Sequence, residues 1–191
     1  MKKLAFIALL GLASTATAAP VGTTFAGWGI GLDLTSTKYE GLKRATGVGV
    51  VVDYGFDYGN NLVGLVEGKA KFNSSKLQDY QTQTNSSQIN EKWRAGVSYL
   101  QGYRVAANFL PYVKVGYSVA KTDVKVRSIA PGSSYQRSVS STGNGLGIGI
   151  GAKYAVSSNF ELGAEYLRSR ATFDNQSKNA NTLGANATYR F

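Results

Sequence analysis

The chain has 191 residues with neither cysteine nor histidine, which excludes a disulfide framework, thiol chemistry and the usual imidazole general base. Lysine and arginine number 21 against 11 acidic residues, a net charge of +10 that favours anionic surroundings. The length suits one domain, and no apolar run after position 18 is long enough to cross a bilayer as a helix.

The chain opens Met1-Lys2-Lys3, runs through an apolar core over residues 4–13 and reaches Ala16-Thr17-Ala18, a small-x-small cleavage site. The pattern predicts a signal peptide over residues 1–18 and a mature domain over 19–191. Removing Lys2 and Lys3 with the signal leaves 19 basic and 11 acidic residues, a net +8. An exported chain of that charge meets lipid headgroups, so nucleic acid is not an expected partner.

A first strand is predicted over residues 25–35, with Ala26, Trp28, Ile30, Leu32 and Leu34 alternating against Gly27, Gly29, Gly31, Asp33 and Thr35. The second sets Val48, Val50, Val52, Tyr54, Phe56 and Tyr58 against Gly47, Gly49, Val51, Asp53, Gly55 and Asp57, and Gly59-Asn60-Asn61 turns it into the third. There Leu62, Gly64, Val66, Gly68, Ala70 and Phe72 oppose Val63, Leu65, Glu67, Lys69 and Lys71. The fourth sets Trp93, Ala95, Val97, Tyr99 and Tyr103 against Lys92, Arg94, Gly96 and Ser98, and Pro111 starts a fifth with Val113, Val115, Tyr117 and Val119 opposite Tyr112, Lys114, Gly116 and Ser118.

The clearest stretch is the sixth, residues 145–156. It places Leu146, Ile148, Ile150, Ala152, Tyr154 and Val156 on one face and Gly145, Gly147, Gly149, Gly151 and Lys153 on the other. Glycine weakens a strand, so a face of glycines offered to water makes little sense in a soluble sheet. It fits a sheet rolled into a narrow tube, bulky side toward lipid and glycine side giving interior room to long polar chains. A seventh strand sets Phe160, Leu162, Ala164 and Tyr166 against Glu161, Gly163 and Glu165, and the last sets Leu183, Ala185, Ala187, Tyr189 and Phe191 against Gly184, Asn186, Thr188 and Arg190.

Eight strands result, joined by alternating short connections (59–61, 104–110, 157–159) and long polar loops (36–44, 73–90, 121–142, 169–182). Short turns on one side and long loops on the other describe an antiparallel up-and-down transmembrane β-barrel, all-β, with both ends inside.

The expected inner face collects Asp33, Asp53, Asp57, Glu67, Lys69, Lys71, Lys92, Arg94, Lys114, Lys153, Glu161, Glu165 and Arg190. Eight strands enclose just enough room for their side chains, so these charges are expected to pair into a lumen network with a small basic excess. A narrow ion path through shifting pairs, favouring anions, is the alternative. Basic residues also dominate the loops: Lys38, Lys43, Arg44, Lys76, Lys121, Lys125, Arg127, Arg137, Arg170 and Lys178 face only Glu40, Asp79, Asp123 and Asp174. They suit lipopolysaccharide phosphates or acidic host glycans. No catalytic residue, cofactor or metal is expected.

On residues 110–116, 145–159 and 187–191, the chain resembles the small eight-stranded outer-membrane barrels of Gram-negative bacteria, the OmpA/OmpX type that includes neisserial surface and opacity proteins. The resemblance implies outer-membrane localisation, a monomer, contact with outer-membrane lipid and lipopolysaccharide, and a closing strand whose Phe191 and Tyr189 are read by the outer-membrane assembly machinery. It also implies a role in envelope integrity, or surface interaction and adhesion through the loops, with a low-conductance porin-like channel as the alternative. No peptidoglycan-binding domain follows Phe191, so the anchoring role of longer relatives does not carry over.

Overall fold

A computed structural model describes residues 24–82, 85–130, 133–173 and 176–191. The expected signal peptide over residues 1–18 lies outside the described residues. Nine strand segments follow one another: β1 (Gly27–Tyr39), β2 (Arg44–Gly59), β3 (Leu62–Lys71), β4 (Ser75–Gln81), β5 (Asn85–Tyr103), β6 (Phe109–Ala130), β7 (Ser133–Ala155), β8 (Phe160–Phe173) and β9 (Gln176–Arg190).

Each segment pairs antiparallel with its chain neighbours, except that β3 and β4 share one position. Both lie against β5, β3 from Leu62↔Tyr103 to Lys71↔Arg94 and β4 from Ser75↔Glu91 to Gln81↔Ser86. Pairing of β1 with β9 and of β3 with β5 closes the sheet, so the nine segments fill eight positions of a ring. Closure removes the free edges that an open sheet would present.

The two faces separate as the period-two pattern requires. Leu146, Ile148 and Ile150 point outward, Ile148 with 70% of its surface accessible, while the alternate positions on the same strand face a crowded interior. A methyl group added at Gly29 would lie 2.6 Å from Asp53 Oδ1 and 3.2 Å from Arg190 Nη2. One at Gly184 would lie 2.9 Å from Glu165 Cγ. The inner glycines hold open the space that the long charged side chains of neighbouring strands occupy. The turn from β2 to β3 uses left-handed backbone at Gly59, Asn60 and Asn61, with φ of 77°, 52° and 66°.

Aromatic side chains ring the outward face near the short turns. Trp28 packs edge-on against Tyr54 at 5.1 Å between ring centroids, and Tyr189 against Phe191 at 5.1 Å. Toward the other end of the apolar belt stand the exposed rings of Phe72, Trp93, Tyr117 and Tyr166.

Much of the sequence expected as long loops is strand. Pairing of β6 with β7 runs from Phe109↔Tyr154 to Ala130↔Ser133 without a bulge, so the stretch 121–142 is a hairpin rather than a loop. The stretches 73–90 and 169–182 likewise carry β4 with the start of β5, and the end of β8 with the start of β9. A strand beyond a bilayer needs ladder hydrogen bonds but no apolar face, so pairing continues where the hydrophobic alternation stops. The 22 residues of β6 extend about 70 Å at ~3.3 Å per residue, against roughly 9–11 residues for a membrane crossing.

Candidate functional site

The bore of the barrel holds three tiers of paired charges. Nearest the short turns, Lys153 Nζ bonds Asp53 Oδ2 at 2.5 Å and lies 3.5 Å from Glu161 Oε2. Arg190 Nη2 donates to Asp53 Oδ1 at 2.8 Å and to Glu161 Oε2 at 2.9 Å, while its Nε reaches Glu161 Oε1. In the middle tier Lys69 contacts Asp33 and Glu165, each at 2.7 Å, and Lys114 contacts Glu67 at 2.6 Å and Glu165 at 2.8 Å. Toward the long hairpins, Glu91 takes Lys71 and Arg94 at 2.6 Å each and accepts from the Tyr39 hydroxyl at 2.7 Å.

Asp33, Asp53, Glu67, Lys69, Lys71, Arg94, Lys114, Lys153, Glu161, Glu165 and Arg190 are thus brought together in the lumen. Lys92 and Asp57 stand apart from them. The register shifts between Glu91 and Trp93, and the bulge turns the preceding part of β5 over. Glu91 therefore points inward with no accessible surface, while the Lys92 side chain is 41% exposed and lies 3.6 Å from Asp123. Asp57 has the inward parity but sits at the rim, where Arg104 Nη2 bonds it at 3.0 Å. The backbone N–H of Gly59 and that Arg104 contact hold its carboxyl below the usual range.

With Glu91 in the network and Lys92 and Asp57 outside it, the lumen network among the described residues carries six carboxylates and six cations. The basic excess expected from the sequence is gone. Only parity counted back from Lys71 and Ser75 on the facing strand could have found Glu91, since one bulge inverts the alternation along β5.

Apolar side chains close the bore on both sides of this network. Phe25, Val63, Leu65, Leu100, Leu110, Tyr112 and Ala155 pack together at the end near the short turns. Tyr39, Ala45, Leu77 and Ala180 form a second cluster toward the hairpins. Between them a cavity of about 80 Å³ is lined by Asp33, Lys69, Lys71, Arg94, Lys114 and Glu165 among others. Among the described residues, no three His, Cys, Asp or Glu side chains converge as metal ligands would.

The basic residues of the hairpins occupy two regions. Lys121, Lys125, Arg127 and Arg137 lie on the β6–β7 ribbon, where Ser140 Oγ donates to Asp123 at 2.7 Å. That bond, with Lys92 nearby, keeps the Asp123 carboxyl below the usual range. Lys38, Arg44 and Arg170 face outward on β1, β2 and β8, as does Arg168, and all four are exposed. Lys43 lies in the turn after β1, Lys76 on β4 and Lys178 on β9. Asp174 lies outside the described residues, as does the side chain of Asp79. Tyr189 and Phe191 project outward at the end of the closing strand, and the Phe191 N–H donates to the Trp28 carbonyl at 2.9 Å.

The family model for the outer membrane protein beta-barrel domain matches residues 5–191 of the chain. Among solved structures, the chain is similar to Ail, the attachment invasion locus protein of Yersinia pestis, with 19% identity and a TM-score of 0.50 over 86% of this chain and 96% of that one. Ail in complex with the heparin analogue sucrose octasulfate aligns at 18% identity, with a TM-score of 0.51 and the same shares of each chain. Neisserial surface protein A aligns at 21% identity and a TM-score of 0.49 over 87% of this chain and 98% of that one. No curated protein sequence matches the chain. At these identities the likeness concerns the fold.

Proposed function

Because the chain belongs to the outer membrane protein beta-barrel domain family, we propose that it is a monomeric, non-enzymatic barrel of a Gram-negative outer membrane that acts by surface interaction. Its lumen is a static plug, and its working part is the sheet raised above the membrane by β4, β5, β6 and β7. Export by residues 1–18 and reading of Tyr189 and Phe191 by the assembly machinery belong to the same proposal.

One observation carries the reading. β7 pairs with β6 along its whole length but with β8 only from Asn144↔Thr172 onward, which leaves residues 133–143 with a free backbone edge among the described residues. Natural sheets blunt such edges with proline, bulges or repeated charges. This one has no proline, no bulge against β6 and a single charge, Arg137. An unpaired edge recruits an extended segment by main-chain hydrogen bonds. Lys121, Lys125, Arg127 and Arg137 outnumber Asp123 on the ribbon, so self-pairing of two copies is repulsive and an acidic extended segment is favoured.

The channel alternative is weaker. A lumen with equal numbers of paired charges between two apolar clusters offers no basic path for anions. Absence of histidine from the chain supports the non-enzymatic part of the proposal.

Barrels in lipid nanodiscs are titrated with an alternating Asp/Val decapeptide and with the same peptide interrupted by proline. Salt-sensitive binding of the first and none of the second is expected. Successive N–H groups of an antiparallel strand point to opposite sides, so of the adjacent substitutions Ser138→Pro and Val139→Pro, the one removing the free-edge donor should abolish binding with the ribbon intact. Equal binding of both peptides, or of neither, sinks the edge reading.

A further inference from the structure

The free edge of β7 has two faces of different chemistry. Tyr135, Arg137 and Val139 alternate with Gln136, Ser138 and Ser140, so one face carries a ring, a cation and a branched alkyl group while the other carries only uncharged polar groups. The first face continues the inner side of the barrel. On it Val139 pairs with Val124 and Val124 with Ile89, and Arg137 pairs with Val126 and Val126 with Ser87. Tyr135, Val139 and Val126 are 59%, 45% and 42% accessible, so this strip is uncovered.

Arg137 is exposed and makes no ion pair among the described residues. On the opposite face the cations Lys125 and Arg127 stand on β6, paired with Ser138 and Gln136. A strand added outside β7 lies two spacings from them, about 10 Å at ~4.8 Å each, which exceeds the screening length of ~8 Å in physiological salt. Arg137 is one spacing away and is the cation that such a strand meets directly. Its neighbours on that face, Tyr135 and Val139, flank it at two residues on either side.

We propose that this edge selects extended segments of the pattern apolar-x-acidic-x-apolar, with the acidic side chain opposite Arg137 and the apolar ones opposite Tyr135 and Val139. Directly opposed side chains of a ladder sit about 4.5–5.5 Å apart, close enough for the charge pair and both apolar pairs to form on one face. The pattern also fixes register. A slip of one residue turns the acid to the Gln136 and Ser138 face, and a slip of two sets it against Tyr135 or Val139. It reads the same from either end, so parallel and antiparallel addition satisfy it equally. The inference rests on the edge reading of the preceding section and sharpens it, from bulk acidity to a single acid placed between two apolar residues.

Full barrels in lipid nanodiscs are titrated with the peptide Thr-Ser-Val-Ser-Asp-Ser-Val-Ser-Thr and with an isomer in which the Asp and the Ser after it exchange places. Binding is read from the β7 amide shifts, and heat-modifiable gel migration checks that each variant is folded. The isomer has the same composition but turns its acid to the other face, and should bind about fivefold more weakly, as loss of one cross-strand charge pair implies. Arg137→Gln should erase that difference, and Arg137→Glu should favour the first peptide with Lys in place of Asp. Lys125→Gln should leave the preference unchanged. Tyr135→Ser combined with Val139→Ser should weaken both isomers and keep their order. Equal binding of the isomers by the parent barrel, with the proline-sensitive binding of the preceding section intact, overturns the pattern and spares the edge, as does a preference that survives Arg137→Gln. Loss of the proline-sensitive binding as well overturns the edge reading and the pattern with it.

Discussion

On β8, two carboxylates and two guanidiniums lie within ten residues of each other and live in opposite circumstances. Glu161 and Glu165 point into the bore, where Arg190, Lys153, Lys69 and Lys114 neutralise them at hydrogen-bond distances. Arg168 and Arg170 point outward with no carboxylate in reach among the described residues. The difference follows from solvation. A charge removed from water is tolerated only beside an opposite charge, whereas a charge at the membrane surface is served by water and headgroups. The inner charges are therefore bound by folding itself, and the outer ones remain available to a ligand.

That contrast can be broken most severely from inside. Glu165→Ala takes from Lys69 and Lys114 the carboxylate that contacts both closely, leaving Glu67 between them at 3.8 and 2.6 Å, and should destabilise the barrel by about 3–5 kcal/mol, measured by reversible urea unfolding in vesicles. A charge moved to the lipid side comes next. Ile150→Arg places a cation in the apolar belt of β7 and should cost about 2–4 kcal/mol in the same assay. If Ile150→Arg is harmless, the outward face of β7 does not meet hydrocarbon.

Gly29→Ala probes the interior crowding more gently. Its methyl would press on Asp53 Oδ1, 2.6 Å away, and should cost roughly 1–3 kcal/mol as overpacking. The smallest effect lies above the membrane, at Asp123. Its depressed pKa means that any stability it contributes is present above the unfolded value and is lost as pH falls through the lower folded one. Ser140→Ala should move the Asp123 carboxyl titration, read by NMR, back up toward the ordinary aspartate range.

Much of the architecture was legible in the chain. Alternation along residues 145–156 carries both faces of β7, and the same code in seven other stretches defines the ring. The inward side chains of eleven of the thirteen expected lumen residues follow from parity alone. Lys92 and Asp57 depart for different reasons, one because a bulge resets the count and the other because the strand has already reached the rim. Glu91 is the converse case, an inward anion that parity along its own strand assigns to the wrong side.

The orientation of each strand was written in the sequence, because side chains alternate with period two and lipid accepts only one of the two faces. Which strands meet, where β3 breaks into β4, how far the hairpins continue and which cations find carboxylates were decided by tertiary structure. Ladder hydrogen bonds are made by a backbone common to every residue, and ion pairs by side chains distant in the chain, so neither leaves a periodic trace in any single strand.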